Sequence, residues 1–154
     1  MPSMQKNPLL ERSERMKVGS GPQRGAVLYC DGASSGNPGK SGIGAVLTFG
    51  DKTYEISENI GIATNNIAEY TALIKGLSRA KTLKVEKLSI FLDSELVVRQ
   101  VEGIYKVKNE KLKELYQDVV AHLRFFKDYS IEHIPRELNK KADALARKAV
   151  KTAG

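Results

Sequence analysis

Apolar and polar positions in this chain recur with two periods, and the switches between them mark out its elements. Val27-Leu28-Tyr29-Cys30 is a short apolar run of strand formers. It ends at Asp31 and passes into turn chemistry that closes with Gly36-Asn37-Pro38-Gly39. Residues 42–49 read as a second strand, Gly50-Asp51 as a turn, and residues 52–60 as a third strand in a hairpin. The period then changes. Tyr70, Leu73, Ile74 and Leu77 are spaced by three and four, which predicts a helix from about Thr64 to Lys81 with Asn65 or Asn66 as N-cap. Alternation returns in Leu88, Ile90 and Leu92, a fourth strand that ends at Asp93, and Ser94 caps a short helix through Val101.

Gly103 stops that helix, and residues 102–109 form a connector. Residues 110–127 carry Leu112, Leu115, Tyr116, Val119, Leu123 and Phe126 on one helical stripe. Residues 129–134 form a fifth strand stopped by Pro135. A last helix starts near Asn139, with Leu138, Ala142, Leu145 and Ala149 inward and Asp143 in its first turns. The order βββαβααβα predicts an α/β fold with a five-stranded mixed sheet and helices packed on it. Residues 1–24 show neither period and read as a disordered leader, which leaves residues 25–152 as the folded domain.

Composition changes this picture little. At 154 residues, 41% hydrophobic and 28% charged, the chain has the size and content of one ordinary globular domain. No apolar run approaches 18 residues, so no membrane association or secretory signal is expected. The single cysteine, Cys30, allows no internal disulfide and suits a reducing, cytoplasmic setting. The net charge of +7 is spread along the chain and only weakly indicates a polyanionic partner.

The chemistry lies in four carboxylates, Asp31, Glu69, Asp93 and Asp143, each placed at a strand end or a helix beginning. Individually they have plainer readings: Asp31 as a turn residue, Glu69 as a complement to a helix dipole. Were they to converge, they would form a cluster of like charges, which persists only with cations or with raised pKa values. Oxygen-only ligands suit Mg²⁺ or Mn²⁺, and two such ions clamp a phosphodiester.

The segments Tyr29-Cys30-Asp31-Gly32-Ala33-Ser34-Ser35-Gly36-Asn37-Pro38-Gly39, Thr64-Asn65-Asn66-Ile67-Ala68-Glu69, Asp93-Ser94-Glu95-Leu96-Val97-Val98-Arg99-Gln100 and Asn139-Lys140-Lys141-Ala142-Asp143-Ala144-Leu145-Ala146 resemble type 1 ribonuclease H in unbroken order. The resemblance spans about residues 26–150. It implies the RNase H-like fold and an endonuclease that cuts the RNA strand of an RNA–DNA hybrid, leaving 5′-phosphate and 3′-hydroxyl ends. It further implies two Mg²⁺ ions, replaceable by Mn²⁺, held by Asp31, Glu69, Asp93 and Asp143. Asp31 would bridge the ions, and Glu69 would lie nearest the RNA 2′-hydroxyl. Asn37, Asn65 and Asn66 match positions that touch the hybrid backbone and minor groove, and Asn109 one that contacts a DNA-strand phosphate. For any of these asparagines, turn and cap chemistry is the competing explanation.

The chain also departs from the family pattern. Its connector is short and it has no Trp, so the basic protrusion of some relatives is missing, as in a shorter archaeal and plant-like branch. Substrate affinity then rests on Tyr105, Lys106, Lys108 and their neighbours, or is weaker. Glu95 stands where many relatives carry Gln. His133 falls in a strand rather than in the mobile loop of relatives, leaving Arg136 or Glu137 for that loop's auxiliary role. A monomeric hybrid nuclease is the expected state. The alternative is a module of the same fold that binds hybrid or double-stranded RNA without cutting it.

Overall fold

The computed structural model describes residues 25–151, so the expected leader over residues 1–24 lies outside the described residues. Strands β1 (Gly25–Ser34), β2 (Gly39–Phe49) and β3 (Lys52–Ala63) form an antiparallel meander. Strands β4 (Lys87–Leu92) and β5 (Asp128–His133) extend it in parallel, giving the sheet order β3-β2-β1-β4-β5. The helices are α1 (Asn65–Thr82), α2 (Glu95–Val101), α3 (Glu110–Leu123) and α4 (Lys140–Lys151), with a single 3-10 turn at Arg136–Leu138. This is the five-stranded mixed sheet with flanking helices that the hydrophobic pattern predicts. Among the described residues, no helix is long and apolar enough to cross a membrane.

Strand alternation divides the burial between two faces. On one face, Leu28 and Cys30 of β1, Ile43, Ala45 and Leu47 of β2, and Leu88, Ile90 and Leu92 of β4 join Tyr70, Leu73 and Leu77 of α1 and Val119 of α3 in one core. On the other face Phe91 stacks on Tyr29, with ring centroids 5.1 Å apart. All of β4 after Lys87 is buried, as befits a strand covered on both sides.

Two glycines next to Asp31 let helices touch strand backbone, as Gly42 does two residues earlier in β2. A Cβ on Gly32 would overlap the main chain of Ala68 and Glu69 in α1, and one on Gly44 would overlap Ala142 and Ala146 in α4. The beginning of α1 and the beginning of α4 are therefore pressed onto opposite faces of the sheet, one beside each of these glycines. Asp31 precedes Gly32 and pairs directly with Gly44, so both helices converge on it.

Several local expectations are corrected. Thr64 caps α1 in place of Asn65 or Asn66, its hydroxyl accepting from the Ile67 amide at 3.2 Å. That choice leaves both asparagines inside the first turn. Helix α3 ends at Leu123, short of residue 127, yet Phe126 still turns into the core from the segment that follows. Leu138 is 64% exposed rather than inward, because the 3-10 turn shifts it off the stripe that Ala142, Ala146 and Ala149 bury. The Ser94 cap stands as expected, accepting from the Val97 amide, and Gly103 adopts φ +85 after α2.

Candidate active site

The site is built where β1 loses one of its two neighbours. Pairing of β1 with β4 stops at Cys30–Leu92, whereas pairing with β2 continues to Ser34–Ser41. Asp31 thus lies inside a strand, not at its end as the turn chemistry suggested, but the strand has one open edge from that residue on. Asp93 follows the last residue of β4, at that edge. Glu69 arrives from α1 on one face and Asp143 from α4 on the other. Ligand oxygens of Asp31, Glu69 and Asp93 lie within 4.8 Å of one another.

Asp143 joins this group less closely. Its carboxyl lies near enough to Asp31 to help raise that group's pKa, while its Oδ2 accepts from Arg147 Nη2 at 3.0 Å, one helical turn on. The four carboxylates singled out in the sequence are thus assembled, three as a tight group and the fourth tethered to a cation.

Like charges at this spacing repel by roughly 3 to 4 kcal/mol per pair at an effective dielectric near 20. Protonation relieves that repulsion. Burial, then the Asp93 charge, pushes the Asp31 carboxyl up to about 7, although a hydrogen bond from Glu69 works in the opposite direction. Glu69 is also raised well above the usual carboxylate range, by burial first and the Asp31 charge second. The Cys30 thiol is raised too, chiefly by burial, and serves as core. Asp31 Oδ2 and Glu69 Oε1 are buried without a hydrogen-bond partner. Buried, orphaned anionic oxygens in an all-oxygen group fit a hard divalent cation such as Mg²⁺ or Mn²⁺.

The predicted nucleic-acid contacts lie at the turn after β1 and at the starts of α1 and α3. Asn37 Oδ1 accepts from the Asn65 amide at 3.0 Å, tying the turn after β1 to the start of α1. Asn37 and Asn65 are exposed and Asn66 half-buried. Asn109 is exposed as well, but its Oδ1 is committed to capping α3, accepting from Leu112 at 3.0 Å. In the connector Tyr105, Lys106 and Lys108 are exposed. It is anchored by Gln100, which donates to the Lys106 carbonyl and accepts from the Tyr70 hydroxyl. Glu95 faces Arg99 at 3.5 Å. His133 is the exposed last residue of β5, and Arg136 and Glu137 lie in the 3-10 turn before α4.

One site residue escaped the sequence reading. Asn139 was expected only to start the last helix, yet it is 1% exposed and its Nδ2 donates both to the Cys30 carbonyl at 2.9 Å and to Asp93 Oδ2 at 3.1 Å. The available signal is an Asn four residues before Asp143, at the head of the motif that carries that acid.

The reverse transcriptase-like family model matches residues 29–149. Ribonuclease HI of Halobacterium salinarum is 40% identical over 136 residues, covering 86% of this chain and 68% of that protein. The solved N-terminal RNase H domain of a Mycobacterium tuberculosis protein is 40% identical with a TM-score of 0.79, covering 82% of this chain and 98% of that domain. The chain spans about a third (36%) of the full length of that bifunctional mycobacterial relative. LC11-RNase H1, solved in complex with RNA/DNA hybrid, is 39% identical with a TM-score of 0.78, covering 83% of this chain and 98% of that one. With a family model over most of its length and ribonuclease H relatives at about 40% identity that it covers by two thirds or more, the chain belongs to the type 1 ribonuclease H family.

Proposed function

We propose that this protein is a metal-dependent endonuclease that hydrolyses the RNA strand of RNA–DNA hybrids, leaving 5′-phosphate and 3′-hydroxyl ends. The observation that carries the reading is the convergence of Asp31, Glu69 and Asp93, with orphaned buried oxygens, on the open edge of β1. The existence of a hybrid complex for a relative 39% identical supports the substrate class. Residues 25–152 form the catalytic domain, acting as a monomer in the cytoplasm.

Asp31, Glu69, Asp93 and Asp143 would hold two Mg²⁺ ions, with Mn²⁺ as substitute. Such ions, when bound, activate the attacking water and stabilise the leaving 3′-oxygen. The chain's own groups do the rest. The two glycine contacts and the open strand edge fix where the carboxylates sit before substrate arrives. Arg147 keeps one oxygen of Asp143 engaged. Glu69 accepts a hydrogen bond from the RNA 2′-hydroxyl, the group that separates RNA from DNA.

Asn37, Asn65 and Asn66 contact the hybrid backbone and minor groove at the N-terminus of α1, where the helix dipole favours phosphate. Asn109 presents the N-terminus of α3 to the DNA strand in the same manner, and Lys106 and Lys108 add charge beside it.

The test is a cleavage assay with labelled RNA–DNA hybrid, RNA duplex and single-stranded RNA in Mg²⁺, Mn²⁺ or EDTA. Metal-dependent cutting of the hybrid's RNA strand alone is expected. Hybrid binding with no cutting under either metal would replace this reading with the non-cleaving module.

A further inference from the structure

Asn139 is buried among three of the acid-bearing segments and yet belongs to none of the groups proposed to meet metal or hybrid. Its main-chain carbonyl accepts from the Asp143 amide at 3.0 Å, opening α4. Its side-chain amide reaches back to the β1–β4 fork. There Cys30 is the last β1 residue facing β4, so its carbonyl sits where the parallel ladder runs out. Asn139 Nδ2 takes that place, at 2.9 Å, and spends its second hydrogen on Asp93 Oδ2 at 3.1 Å.

The orientation of the amide follows from its neighbours. Reversed, it would set its oxygen against a carbonyl and a carboxylate, two acceptors with no proton to give. As placed, Oδ1 is buried and without a donor among the described residues. An amide that leaves its own oxygen unpaired to serve two acceptors is an expensive arrangement. Capping does not explain it, because Oδ1 accepts from no amide of α4.

We propose that Asn139 is a positioning residue for the acidic site. It locks the Asp93 carboxylate by one oxygen to the end of β1, so that the other oxygen is held toward Asp31 and Glu69 before any cation arrives. A carboxylate turning freely in the loop after β4 pays an ordering cost on each metal binding, and Asn139 removes it. This rests on the metal-dependent reading above, and the experiment separates the two.

Mn²⁺ alone is titrated into the wild type, Asn139→Ala, Asp93→Asn and the double variant, with melting temperature as readout. Hybrid cleavage is then followed as kcat and KM. In Asn139→Ala the Mn²⁺ midpoint for thermal stabilisation should rise about 10-fold or more, the size typical of groups that orient metal ligands. KM for the hybrid should stay within about twofold, kcat should fall at low metal, and excess Mn²⁺ should restore most of it. In the Asp93→Asn background the midpoint should no longer respond to Asn139→Ala. A midpoint within about twofold of wild type, or an equal change in both backgrounds, overturns the positioning role while leaving the nuclease reading intact. A wild type with no metal response and no cleavage overturns the nuclease reading itself. Should Asn139→Ala fail to fold, Asn139→Ser carries the same comparison, since its shorter hydroxyl has one proton and cannot serve both acceptors.

Discussion

The two ends of α1 treat charge in opposite ways. At its beginning, Glu69 meets Asp31 and Asp93, like charge against like, and buried oxygens of Asp31 and Glu69 lack a hydrogen-bond partner among the described residues. At its end, Lys81 Nζ lies 3.2 Å from His122 Nδ1 of α3 and 5.6 Å from the centre of the exposed Phe125 ring. There burial, and then the Lys81 charge, lowers the His122 pKa, so a neutral imidazole can accept from the ammonium. One helix thus carries a resolved contact and an unresolved one some three turns apart. A fold stabilises itself by resolving such conflicts. A conflict kept at a buried strand edge marks the place where stability is given up to a ligand.

The largest effect should come from removing a charge at the conflicted end. Asp31→Asn should lower hybrid cleavage about a thousand-fold, corresponding to about 4 kcal/mol of barrier. Hybrid binding should change little, and the metal-free protein should melt higher because one repulsion is gone. Retained turnover would remove Asp31 from the site.

A smaller effect is expected from pH. The Asp31 carboxyl rises from 3.8 to about 7 on folding, so between those values the folded chain holds a proton that the unfolded chain releases. Metal-free stability should therefore fall as pH increases from about 4 to 7, against the usual carboxylate trend. Melting curves in EDTA across that range would check this, with Mg²⁺ expected to raise the melting temperature by several degrees at neutral pH. A flat profile unaffected by Mg²⁺ would mean the acids do not feel one another.

The smallest effect belongs to the resolved end. Lys81→Met should leave cleavage unchanged and shift stability by no more than about 1 kcal/mol, as for other half-exposed charges. The His122 pKa, followed by NMR, should move back toward its ordinary value. A loss of activity would show that the two ends are not independent.

The architecture and all four acids were visible in one dimension because each rests on a local signal. Strand alternation, helical spacing and the Ser94 cap are set by neighbours within a few residues. What stayed hidden depends on distant partners. Nothing near Asp31 says that β2 outlasts β4 along β1, so the residue looked like a strand end. The 3-10 turn that throws Leu138 outward resembles one more step of the helix behind it. Asn139 gains its meaning only from Cys30 and Asp93, which lie 109 and 46 residues away in sequence. Thr64, with a cap preference close to that of asparagine, differed from Asn65 by one position, below what local preference resolves.

The contacts at Gly32 and Gly44 have a consequence for how the site tolerates change elsewhere. Where a helix rests on a strand through side chains, its height above the sheet varies with every substitution in the layer between. Here the nearest atoms are main chain, with only a Cβ beside them, and the spacing is set by radii that no mutation in the hydrophobic layer alters. Glu69 and Asp143 hang from that gauge. Sequence drift can rework the surrounding core while both helices keep their height over Asp31.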